Sequence, residues 1–278
     1  MPELPEIETI RKGLIPHLKN QVIETVKIRN ANLRCPVPVN LAAILKNKTV
    51  IDIKRRGKYL LIEVGHGTLM VHLGMSGRFF IAKENSPVNK HDHVDIVLKN
   101  GLLLRYHDPR RFGLMVWTDE DPEQHVLLQH LGVEPLTKKF NANYLFVTLT
   151  KRSIPIKQAI MNHELVVGVG NIYANEALFH AGIHPLTPAN RVSLEKCADL
   201  VKAIKQTLQR AIKAGGTTLK DFVNAAGDSG YFQQQLFVYG RNEEVCLVCQ
   251  DRIGMVRLAG RSTYFCVQCQ KLCRNPLM

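Results

Sequence analysis

Four cysteines near the end of the chain, Cys246, Cys249, Cys266 and Cys269, are spaced C-x2-C-x16-C-x2-C. That spacing lets two tight knuckles present four thiolates tetrahedrally, a donor set that suits one Zn2+ ion and closes its coordination shell. Residues 236–278 are therefore expected to form a small hairpin built on a structural zinc, with no position left for a reacting water. Cys273 follows closely enough to compete as a ligand, but the symmetric pairing favours Cys269. Cys35 and Cys197 stand alone and are assigned no role. In a reducing cytosol these thiols are expected to stay unbridged.

The 278 residues, 45% of them hydrophobic, suffice for one large domain or two of medium size. A formal charge of +13 points to a polyanionic partner, nucleic acid first and a membrane surface as the competing choice. No stretch approaches the roughly 20 apolar residues of a membrane span, and the start of the chain lacks the basic-then-apolar layout of a signal peptide. A cytoplasmic, nucleoid-associated protein is the expectation.

Ile7, Ile10, Leu14 and Leu18 recur at a helical period and predict an amphipathic helix over residues 4–19. Short apolar runs then alternate with Gly, Asn and Lys turns: 22–28, 49–53, 59–64, 69–73, 79–82, 94–98, 102–106 and 113–117. Strands so short and frequent predict a β-sandwich or barrel. Past Asp119-Glu120-Asp121-Pro122 the pattern turns helical, at 155–162, 172–181, 193–214 and 218–224. The expected domains are 1–130, 131–235 and 236–278, in an α+β chain without internal repeats.

Removal of Met1 would leave Pro2 as a secondary amine, with Glu3 and Glu6 close behind it. An α-amino group titrates near pH 8, and a proline nitrogen joined to a carbonyl carbon becomes a permanently charged iminium, a strong electron sink. Proline and glutamate are also ordinary chemistry for a first helical turn. Two basic clusters, Lys54-Arg55-Arg56-Gly57-Lys58 and the Arg105–Gly113 segment, sit at strand ends where a loop can approach a phosphate backbone. Met75, between Gly74 and Gly77, and Phe112, beside Gly113, are apolar residues on glycine turns, able to push between stacked bases; taken alone, such residues are more often core. The glycines of Gly168-Val169-Gly170-Asn171-Ile172-Tyr173 lack the third glycine and the βαβ setting of a dinucleotide fingerprint. What remains is a helix N-terminus that, with the Asn171 side chain, can hold one phosphate.

Six segments in order carry a resemblance over nearly the whole chain: Pro2–Thr9, Arg56–Leu60, His72–Gly77, Asp108–Gly113, Gly168–Tyr173 and Ala259–Cys266. Together they closely resemble the bacterial formamidopyrimidine-DNA glycosylases, the 8-oxoguanine glycosylases of base excision repair. The resemblance implies an N-terminal β-sandwich with an N-terminal helix, a C-terminal helix-two-turn-helix domain and a four-cysteine zinc finger, acting as a monomer on double-stranded DNA that contains oxidised purines. It implies that the damaged purine is flipped out of the stack, that Pro2 attacks C1′, and that Glu3 assists ring opening and proton transfers. Lys58 would position the lesion or its phosphate, and Glu6 would orient groups nearby. Met75, Arg110 and Phe112 match the family's void-filling wedge, with Arg110 facing the orphaned cytosine. Asn171 and Arg261 match its phosphate-holding residues, while His72 and Tyr239 are further DNA-contacting positions. Residues 215–231 match its lesion-capping loop.

Two other classes fit part of the sequence. A zinc-dependent DNA-binding protein without catalysis would need only the charge and the four cysteines; the intact Pro2-Glu3 start argues against it. An endonuclease VIII type enzyme would remove oxidised pyrimidines with the same terminal proline. Leu4, where that group tends to have glycine, and the Arg110/Phe112 pair favour the purine enzyme.

Overall fold

The computed structural model describes residues 2–215 and 236–272. The helix expected at 218–224, all but Gly215 of the loop matched over 215–231, and Cys273 lie outside the described residues. The chain divides into two compact units, one with residues 2–130 and 214–215, the other with 131–213 and 236–272.

The first unit opens with α1 (Leu4–Leu18), whose Ile7, Ile10, Leu14 and Leu18 are all 3% exposed or less. Burying four such side chains is worth roughly 6–12 kcal/mol before entropy is charged. They pack on two four-stranded antiparallel sheets. One sheet has the order β1 (Ile23–Ile28), β6 (Asp92–Leu98), β7 (Leu102–His107), β5 (Arg78–Lys83). The other runs β2 (Val50–Arg56), β3 (Tyr59–Val64), β4 (Gly67–His72), β8 (Leu114–Thr118). Leu60, Ile62 and Val64 alternate into the same core as Phe79, Val94, Leu104 and Tyr106 of the opposite sheet, which makes the pair a β-sandwich. The eight expected strands are all present, seven of them within a residue or two of the predicted ends, while β2 runs three residues further than expected, to Arg56. The single turn α2 (Leu41–Leu45), with Leu41 and Leu45 fully buried, was not predicted, because five residues are too few to show a period.

The second unit carries α3 (Ala142–Leu149), α4 (Ile156–Ile160), α5 (Asn171–His180) and α6 (Leu194–Lys213). Leu200, Ile204, Leu208 and Ala211 of α6 form one buried stripe, while Lys202, Gln206 and Arg210 face out. Helix α3 starts where the Asn141 side chain accepts the Tyr144 N–H at 3.0 Å. Its eight residues include Thr, Val, Phe and Tyr, poor helix formers, and for that reason sequence reasoning passed over it.

Strands β9 (Ile253–Leu258) and β10 (Arg261–Cys266) form the tail hairpin, turned by Ala259 and Gly260 at φ 47° and 75°. Two consecutive positive φ values match the type I′ geometry that suits a two-residue hairpin loop. The hairpin is fastened to α5 by buried polar groups. The Tyr264 N–H donates to Asn175 Oδ1 at 2.8 Å, and the Gln270 side chain bridges the Cys266 N–H and the Ile183 carbonyl. Glu176, 3% exposed, accepts the backbone N–H groups of Phe237, Val238 and Tyr239 at 2.8–3.0 Å. No helix among the described residues is long and apolar enough to cross a membrane.

Candidate active site and nucleic-acid interface

In the first unit, the chain start is held by the head of α1. Glu3 is the N-cap, in extended conformation, and its side chain accepts the Glu6 N–H while Glu6 Oε2 accepts the Glu3 N–H at 2.8 Å. This reciprocal capping box fixes the backbone from which Pro2 projects, and carboxylates here also face the positive end of the helix dipole. Glu3 and Glu6 are both 3% exposed, whereas Pro2 is half-buried. Glu6 therefore has a defined task, orienting the first turn.

Helix α1 is pinned in turn to β2. Glu8 receives Arg11 and, at 3.1 Å, Arg55, whose other nitrogen reaches the Gly57 carbonyl at 3.0 Å. Burial pushes the Glu8 carboxyl up, but Arg11 and Arg55 together outweigh it and leave the group below its ordinary range. The β2–β3 turn, with Gly57 at φ 56°, presents Lys58 half-buried.

His72 closes β4 with its ring 4.9 Å from Tyr59. Burial, then the charges of Lys58 and Arg34, push its pKa down to about 4. A neutral ring fits its bond, since Nδ1 accepts the Gly74 N–H at 3.0 Å.

The basic clusters are less available than the sequence suggested. Lys54 pairs with Glu63, Arg55 with Glu8 and Arg56 with Glu123. Arg105 is 4% exposed and grips Asp95 through two nitrogens at 2.9 Å, so its reading as a phosphate-facing residue is corrected. Asp95 is brought opposite Arg105 by the register of β6 on β7, whereas Glu8 comes from α1 and Glu123 from the turn at Pro122–Gln124.

Met75 and Phe112, by contrast, are 45% and 46% exposed, on two loops that lie together. The join is Asp108, fully buried, whose carboxylate receives four donors. Ser76 Oγ (2.5 Å) and the Arg110 N–H (3.3 Å) reach Oδ1, while Tyr106 OH (3.0 Å) and the Gly113 N–H (2.9 Å) reach Oδ2. Burial, and next the Asp108 charge, raise the Tyr106 phenol, which therefore remains a donor. The Asp108 carbonyl accepts His93 Nε2–H at 2.8 Å, so that nitrogen carries the proton. Gly74, at φ 64°, has no room for a side chain: a Cβ would lie 2.4 Å from the Phe112 carbonyl carbon. The Arg110 guanidinium stacks over the Phe112 ring at 4.7 Å. Asp108 and Ser76 received no assignment from the sequence, although both stand inside quoted motifs.

In the second unit, the sulfurs of Cys246, Cys249, Cys266 and Cys269 all lie within 4.8 Å of one another, with Cys246–Cys269 at 3.9 Å and Cys249–Cys266 at 3.3 Å. A tetrahedral zinc with bonds of about 2.3 Å needs sulfurs roughly 3.8 Å apart, so the residues fit one ion. Burial and the neighbouring sulfurs hold the Cys269 thiol well above its ordinary value, and a divalent cation is what allows the four to ionise together. Arg261 is exposed at the hairpin turn. The carbonyl of the next residue, Ser262, accepts both Asn171 Nδ2 at 3.1 Å and Lys157 Nζ at 3.0 Å. Lys157 is 1% exposed and also reaches Thr263 Oγ1 at 2.7 Å. Nothing in the apolar run around it marked this lysine as a buried strut. Tyr239 packs its ring 5.3 Å from Tyr264.

The chain thus carries a β-sandwich whose leading helix starts just after a proline, and a helical unit with a four-cysteine ribbon. Residues 1–115 match the family model described as the formamidopyrimidine-DNA glycosylase N-terminal domain, 131–223 the H2TH domain of the same enzymes, and 243–272 a zinc finger found in FPG and IleRS. The formamidopyrimidine-DNA glycosylase of Hydrogenovibrio crunogenus is 52% identical over 98% of this chain and 97% of its own length; that of Legionella pneumophila is 49% identical over 98% and 99%. Among solved structures, Lactococcus lactis Fpg in complex with abasic-site DNA superposes with a TM-score of 0.87 at 35% identity, covering 97% of this chain and 99% of that one. The same protein with an N7-benzyl-Fapy-dG DNA gives 0.88 at 34%, covering 97% and 100%. The chain belongs to the formamidopyrimidine-DNA glycosylase family.

The depressed His72 pKa has a measurable consequence. The unfolded chain protonates this histidine near pH 6.5, whereas the folded form resists until about pH 4. The stabilisation is complete above about 6.5 and is lost as pH falls towards 4. Urea unfolding should therefore show a steeper loss of stability between pH 6.5 and 4.5 in the wild type than in His72→Asn; identical slopes would contradict the assignment.

Proposed function

We propose that this chain is a bifunctional base excision repair enzyme that removes oxidised purines, 8-oxoguanine and formamidopyrimidines, from duplex DNA and then cuts the strand. The observation that carries this reading is the match of three family models in order along one chain, with about half the residues identical to curated glycosylases over its whole length. The residue roles are our reading of the geometry.

Pro2, freed by loss of Met1, attacks C1′ of the extruded nucleotide and expels the base. The nitrogen becomes an iminium, which draws electrons from the sugar and permits β- and then δ-elimination of the two flanking phosphates. Glu3, buried beside it, handles the protons of ring opening, and Glu6 keeps the first turn in place. Lys58 and neutral His72 border this chemistry from the ends of β2–β3 and β4. Met75, Arg110 and Phe112 occupy the space that the extruded nucleotide leaves, with Arg110 towards the orphaned cytosine. Their exposure, unusual for Met and Phe, supports this role. Arg261, Asn171 and Tyr239 hold backbone phosphates, and the zinc keeps the hairpin that carries Arg261 in shape. The domain division 1–130, 131–235 and 236–278 assigns chemistry to the first part and backbone grip to the other two. One chain carries nucleophile, wedge and ribbon, so a monomer suffices, and the +13 charge suits residence on the nucleoid in the cytoplasm.

In competition between duplexes carrying an oxidised purine and an oxidised pyrimidine, the purine strand should be nicked first by at least ten-fold. Preference for the pyrimidine would move the chain to the endonuclease VIII type of activity. Cys246→Ser, or removal of zinc by chelation, should abolish duplex binding in an anisotropy titration while the first unit still unfolds cooperatively. Full activity without metal would sink the structural role of the ion.

A further inference from the structure

We propose that Ser76 is a positioning residue that makes the Met75 loop and the Arg110–Phe112 loop move as one body, and so sets how strictly the wedge senses the orphaned base. The inference rests on the wedge reading given above. Each loop has its own internal fastenings. On the first, the Gly74 N–H goes to His72 Nδ1 and the Gly77 N–H to the Leu73 carbonyl. On the second, the Arg111 N–H goes to the Asp108 carbonyl and the Gly113 N–H to Asp108 Oδ2.

Among the described residues, the hydrogen bonds that cross from one loop to the other both pass through one hydroxyl. Ser76 Oγ donates to Asp108 Oδ1 at 2.5 Å and accepts the Arg110 N–H at 3.2 Å, spanning 32 and 34 residues of sequence. The acceptor is a fully buried carboxylate, so the bond is charge-assisted and strong for its kind. The other end grips the backbone of Arg110, whose guanidinium lies on Phe112. A displacement of Met75 by a base is thereby passed through Ser76 to Arg110. Without the hydroxyl, Asp108 keeps its donors from Tyr106, Arg110 and Gly113, and each loop keeps its own bonds, but between the strand pairs His72–Leu114 and Arg78–His107 that flank them the loops are left joined by contact alone.

The test is a double-mutant cycle of Met75→Ala and Phe112→Ala, read as dissociation constants for a duplex with a tetrahydrofuran abasic analogue opposite cytosine. With Ser76 present, the double variant should depart from the product of the single effects by about five-fold, within the range for residues that share a partner. In a Ser76→Ala background the effects should multiply independently, and Ser76→Thr, which keeps the hydroxyl, should restore the coupling at unchanged thermal stability. Discrimination between cytosine and adenine opposite the analogue should fall in parallel, about five-fold, in Ser76→Ala alone. Costly single truncations with the same coupling in Ser76→Ala would overturn the role of Ser76 only. Single truncations without any cost would overturn the wedge reading and this proposal with it.

Discussion

The buried carboxylate of Asp108 is the constraint on which the outer surface of the sandwich depends. A fully buried carboxylate is tolerated only when donors replace its hydration. Here four donors do so, from Ser76, Tyr106, Arg110 and Gly113. Because they come from a strand and from two loops, satisfying the charge also fixes the loops. The result is that Met75 and Phe112, which would lose free energy by standing in water, are nonetheless held outward. Arg111 is held at φ 56°, a backbone conformation that costs an L-residue about 1–2 kcal/mol and that the same network sustains.

The same economy of construction recurs at the two other functional places. At the head of α1, the capping box uses Glu3 and Glu6 against each other's N–H groups, so the two carboxyl groups that resemble catalytic ones are also what orders the first turn. At the ribbon, the Ser262 carbonyl collects Lys157 and Asn171, and Glu176 collects three N–H groups from Phe237–Tyr239. Lys157 and Glu176 are ionisable groups taken out of water, each compensated by hydrogen bonds to the segment it orders. Zinc completes the hairpin from inside while these groups fasten it from outside.

Much of this was legible in the sequence. The period of Ile7, Ile10, Leu14 and Leu18, the short apolar runs between turns and the double CxxC each reflect local geometry, and local geometry is what a sequence pattern records. The exposed state of Met75 and Phe112 was not legible from their chemistry, which by itself suggests core; the glycines beside them were the better sign. Arg105 misled because its partner Asp95 lies across a strand pair, and Arg55 and Arg56 because Glu8 and Glu123 arrive from elsewhere in the chain. Asp108, Ser76 and Lys157 went unassigned for the same reason: their importance is the number of partners that the fold brings to them, a property that no linear spacing carries.

The central claim is that the terminal proline nitrogen is the nucleophile. Borohydride reduction during turnover of a duplex with 8-oxoguanine opposite cytosine freezes only an imine or iminium, and peptide mapping then locates the bond. The account predicts a covalent adduct at Pro2 in the wild type and its absence when the amine is blocked. An adduct on Lys58 or another lysine, or tight lesion binding with no adduct at all, would contradict it.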